Sequence, residues 1–255
     1  MPSPFDSAHR KVAWADKCFD DLDREVKTFL TENPYKEVVE ADPDVPEHFL
    51  HKIKLTKSLD ETPIAEIIGD ILSNLRASLD HAIYAVASAR HPNPRYAYFP
   101  FSDGATGFEN SLKGNCKHVQ PEMFPLLRSF QPYQRGNENL YALHALRNTD
   151  SHAMITPAVT NFLRPYTSVR ARGYAEMILP EYSRWDRTKQ EVVFLRTRLG
   201  TEVDYQIEFH FFIAFYSPLV VQGYPVLEVL QAIGCEVNAT ISAIEAESRR
   251  LKIVK

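Results

Sequence analysis

Glycine is scarce in this chain, with nine residues in 255. Loops that cradle phosphate bring backbone N–H groups close to the ligand through clustered glycine, and neither GxGxxG nor a Walker loop occurs. The serine-hydrolase GxSxG and zinc-protease HExxH patterns are missing as well. The three cysteines, Cys18, Cys116 and Cys235, lie far apart with no CxxC pair, which excludes a cysteine zinc knuckle and fits a reducing compartment. The longest uninterrupted apolar runs, such as 211–216, are far too short to span a bilayer. The opening MPSPFDSAHRKVAWADK lacks the apolar core of a secretory signal. A cytoplasmic protein with no membrane partner is expected. Net charge is −4, so no global basic field gathers nucleic acid.

The remaining composition, 44% apolar and 24% charged, is that of a folded chain rather than a disordered one. Charge is uneven. Residues 1–60 hold thirteen acidic and nine basic side chains, whereas 161–200 hold eight basic and four acidic. The second segment reads first as a solvated sheet surface, and otherwise as a face for an anionic partner.

Periodicity supplies the elements. Val12, Ala15, Phe19, Leu22, Val26 and Phe29 step by three and four residues, the heptad seam of a helix over 7–32. Ile64, Ile68, Ile71, Leu75 and Leu79 predict a second helix over 62–89, with Thr62 as its cap and Pro63 in its first turn. Further helices are expected over 138–155 and 225–250. Two short strands are expected within 35–56. Others should fall within 162–215, where alternation from Val203 to Phe215 predicts one long half-buried strand. The proline-punctuated segment 91–137 holds room only for short helices. The class is α+β: a single domain of four main helices, bundle-like, with an antiparallel sheet.

Chemically capable side chains gather in 143–154, on the third of these helices. At about 100° per residue, Ser151, His144, Asn148 and His152 fall within about 140° of Arg147, opposite Leu143, Leu146 and Met154. Arg147-Asn148-Thr149-Asp150-Ser151-His152 resembles the signature of the HEPN superfamily. Its members are helical-bundle domains, many of them metal-independent ribonucleases. The resemblance implies RNA as partner, a homodimer sharing the site, and a catalytic set of Arg147 on the phosphate, Asn148 beside it and His152 as general acid or base. Those residue types suit the chemistry. Attack by RNA's own 2′-hydroxyl needs proton transfer near neutral pH and positive charge on the phosphorane.

A second resemblance covers more of the chain. Asn74-Leu75-Arg76-Ala77-Ser78-Leu79-Asp80-His81-Ala82, Tyr98-Phe99-Pro100-Phe101-Ser102, Phe130-Gln131-Pro132-Tyr133-Gln134, Arg147–His152 and Gly223-Tyr224-Pro225-Val226 are similar, in the same order, to blocks of a widespread bacterial family of this size without a settled function. In that family Asp150 and His152 are the steadier positions. Supporting residues are therefore Arg76, Asp80, His81, His144 and Asp150. Neither helix has the His-x3-His or Glu-x2-His spacing of a metal face, so no metal and no cofactor are expected. Two readings stay open: a HEPN-like endoribonuclease, or a non-catalytic binding or scaffold module whose buried Arg/Asp/His network specifies packing.

Overall fold

The computed structural model describes residues 3–150, 157–163, 168–178, 185–186, 188–206 and 209–254. Along the chain it places α1 (Asp6–Thr31), β1 (Tyr35–Ala41), β2 (His48–Leu55), α2 (Glu61–Ser88), α3 (Ala105–Asn115), α4 (Phe124–Ser129), α5 (Glu138–Asp150), β3 (Pro157–Leu163), β4 (Ser168–Arg172), β5 (Ala175–Met177), β6 (Glu191–Arg198), β7 (Glu202–Gln206), β8 (Phe209–Phe215) and α6 (Val226–Arg250). The class is α+β. Two compact units result. One holds α1 as far as Arg24, α2 to α5, and α6; the other holds the end of α1 and nearly all of the strand residues.

In the helical unit α2 is central. It buries fourteen residues between Ile64 and Ala87, more than one stripe, because α5 and α6 both pack on it and on each other. The α1 seam starts earlier than its first valine: Phe5, Ala8, Val12, Ala15 and Leu22 are all buried. Polar bonds tie α1 to its neighbours. Lys11 Nζ donates to Asn74 Oδ1 at 3.1 Å, and His9 Nε2 lies 2.8 Å from Glu245 Oε2. Burying each large aliphatic side chain contributes about 1.5–3 kcal/mol, so these seams outweigh differences in helix propensity. The proline-punctuated segment contributes α3 and α4, anchored by buried Phe108, Leu112 and Leu127. Helix α5 is described to Asp150, and the end expected near 155 lies outside the described residues.

The sheet unit is built on four antiparallel strands in the order β1-β2-β6-β5. Ile53, Val192, Phe194 and Leu195 form its core. Simple alternation fails in β2, where Leu50, His51, Lys52 and Ile53 are buried in succession. The register jumps there from His51↔Leu195 to Lys52↔Val193, which leaves Phe194 as the extra residue of a bulge on β6. The single strand expected over 203–215 is instead two. β7 pairs with β4 and β8 with β3, in separate ladders, and residues 207–208 between them lie outside the described residues. Among the described residues no helix is long and apolar enough to cross a membrane.

Candidate functional site

Helices α2 and α5 approach closely where Gly69 faces Asp150. A Cβ at Gly69 would stand 2.9 Å from Asp150 Oδ1, so the missing side chain makes room for that carboxylate. Further along the same contact sits Arg76, in the middle of α2. Its Nη1 donates to Nδ1 of His144 on α5 at 3.2 Å. Its Nε lies 3.7 Å from Asp80 Oδ2, one turn on. The guanidinium carbon sits 4.0 Å from the centre of the Phe101 ring, a cation–π contact. Phe101 also stacks on His144, with centroids 5.3 Å apart and planes inclined by 10°. The other carboxylate oxygen of Asp80, Oδ1, accepts the backbone N–H of Phe99 at 2.8 Å, which ties the loop carrying Phe101 to α2.

The tautomer of His144 follows from its partner. A guanidinium can only donate, so Nδ1 accepts, and the neutral ring carries its proton on Nε2. That nitrogen faces Asp103 Oδ1 at 3.6 Å and Asn148 Nδ2 at 3.3 Å. With Nε2 protonated, the Asn148 amide turned end for end presents its oxygen instead. Burial holds His144 below the ordinary histidine value, the Arg76 charge adds to that, and Asp103 opposes it. His144 is therefore a neutral imidazole at pH 7. Burial also lowers Arg76, with Asp80 working against the shift and the Arg147 charge adding to it; the group stays cationic. Arg76 Nε is shielded from solvent and makes no hydrogen bond among the described residues. Burial pushes the Asp80 carboxyl up, against the pull of Arg76 and of the Phe99 N–H.

The residues singled out from sequence separate into four groups. Arg76, Asp80, His144 and Asn148 stand in one cluster. Arg147 is at its edge, partly exposed, with Nη1 3.5 Å from Asp150 Oδ2. His81 is directed elsewhere: its Nδ1 lies 2.7 Å from Ser7 Oγ on α1, because consecutive helical residues point about 100° apart. Ser151 and His152 lie outside the described residues. Phe101 and Asp103 belong to the cluster without having been singled out as site residues. The block Tyr98–Ser102 carried a signal for Phe101, and none pointed to Asp103. Among the described residues no three His, Cys, Asp or Glu side chains stand together as a metal site. The arrangement can hold an anion on guanidinium groups beside a neutral imidazole that offers an N–H. No protein-family model, curated protein or solved structure matches this chain.

Proposed function

We propose that this chain is a metal-independent endoribonuclease that cuts single-stranded RNA at the α2–α5 cluster, in the manner the HEPN resemblance implies. The observation that supports the reading best is Arg76: a largely buried guanidinium whose Nε makes no hydrogen bond among the described residues, in contact with a histidine kept neutral. Arg76 and Arg147 would take the phosphate oxygens as charge grows on phosphorus. His152 would accept the 2′-hydroxyl proton, the role the resemblance gives it, and the Nε2–H of His144 would donate a hydrogen bond to a phosphate oxygen. A homodimer sharing the site belongs to the same proposal. Purified protein should cleave RNA in EDTA and leave 2′,3′-cyclic phosphate ends. His144→Ala and Arg147→Ala should each lose on the order of a hundredfold in rate. If His144→Ala abolishes cleavage and His152→Ala does not, the assignment of the base to His152 fails.

A second reading has its own observation. Asp80 and Asp150 each lie beside a guanidinium, that of Arg76 and that of Arg147, while Asp103 faces His144 Nε2, and Asp80 is engaged by the Phe99 backbone. In that reading the network specifies packing within a non-catalytic binding module. It takes over if the parent protein cuts no RNA and Arg76→Ala lowers the melting temperature cooperatively.

A further inference from the structure

Away from that cluster, the helical unit holds a cleft of about 310 Å³ between α1, α2 and α6. Its walls are apolar, from Phe19 on α1, Ile71 and Leu75 on α2, and Leu230 on α6. Two carboxylates, Asp16 and Asp20, line it as well, one turn apart on α1. Neither has a cationic partner among the described residues, and the charge that Asp16 feels is that of Asp20. Like charges at this spacing repel. On the facing helix, Gly234 also lines the cleft, and a Cβ built on it meets nothing within 4 Å. Glycine inside a helix costs about 1 kcal/mol relative to alanine, so α6 keeps this space open at some cost to itself.

We infer that this cleft binds a small organic cation, an amine carried on an apolar body. The apolar walls shed water onto the body of such a ligand, and the ammonium meets the two unpaired carboxylates. An anion would be repelled. A hard metal ion needs about six or more oxygen ligands, which two carboxylates on an apolar wall do not offer. The volume is at the small end of ligand pockets, about 300–1,000 Å³, which favours a single-ring or short aliphatic amine over a nucleotide.

Cys235 is a free, exposed thiol on the cleft lining and serves as the reporter. The full chain is treated with iodoacetamide, and alkylation of each cysteine is followed separately by mass spectrometry. Millimolar phenethylamine should slow alkylation of Cys235 several-fold, while hydrocinnamate, a carboxylate on a similar skeleton, should not. The Asp16→Asn/Asp20→Asn double variant should need about tenfold more amine for the same protection. Gly234→Leu, which fills the space, should remove the amine dependence with no loss of melting temperature; Gly234→Ala should keep it. Equal protection by the amine and the carboxylate would overturn the inference. So would no protection of Cys235 by phenethylamine, or the same amine response in the double variant as in the parent.

Discussion

Replacing Glu191 by glutamine should destabilise the sheet unit by about 2–3 kcal/mol. Lys52 and Glu191 are nearly dry, with side chains 8% and 5% exposed, and their charged atoms are 2.9 Å apart. Breaking a buried pair from one side costs about 3–5 kcal/mol, because the other charge is left without compensation. Here the loss is smaller. Glu40, 40% exposed, stays 3.0 Å from Lys52, and glutamine keeps one oxygen to accept its hydrogen bond. Burial works against the Lys52 ammonium, but Glu191 and Glu40 outweigh it and hold the group above the ordinary lysine value. A raised lysine lends stability that is complete below the unfolded value of about 10.4 and is lost as pH rises through the folded one. Trp185 packs against the sheet core, so its fluorescence in a Trp14→Phe background reports urea unfolding of this unit. Lys52→Met/Glu191→Leu removes both charges and should come within about 1 kcal/mol of the parent. If Glu191→Gln costs less than about 0.5 kcal/mol, or the double variant is as damaged as the single one, the pair is not the buried network described.

Two further outcomes concern buried titrating groups. Asp80 binds its proton more tightly in the folded chain than in the unfolded one, because burial raises it. Its contribution is greatest below about pH 3.9 and is lost as pH rises through the folded value. Asp80→Asn should therefore flatten the acid limb of stability against pH, and Asp80→Ala should cost about 1–3 kcal/mol for the orphaned Phe99 N–H. His51 is the opposite case. It is buried between Thr197 Oγ1 at 3.0 Å and the Tyr205 hydroxyl at 3.4 Å, and burial lowers its pKa, with Glu37 opposing. The unfolded chain takes that proton first, so stability present above about pH 6.5 is lost as pH falls toward the folded value. Thermal melts between about pH 5 and 7.5 should show this loss, and His51→Asn should reduce it.

The four long helices were legible because a buried stripe repeats every three to four residues whatever lies against it. Val12, Ala15 and Leu22 are such a stripe, and all three are buried. What could not be read is what depends on pairing. Nothing in Val203–Phe215 marks the change of partner from β4 to β3, since both halves alternate alike. Nor could the pattern of β2 alone show that Lys52 is buried, because the carboxylates that make its burial tolerable, Glu40 and Glu191, stand on the neighbouring strands β1 and β6. At the candidate site, the helical phase of His144 and Asn148 was visible within one helix. Asp103 was not, because a loop residue some forty positions away is brought to α5 by the path of the chain rather than by any local pattern.

Leu75 and Arg76 are consecutive on α2, the first lining the cleft and the second standing in the α5 cluster. A helix packed on several sides responds to an occupant as one body, so a displacement that carries Leu75 carries Arg76 as well. Ligands at the two places would then be linked thermodynamically. The linkage would be reciprocal, each altering the affinity for the other by the same factor, and either one could serve as the effector.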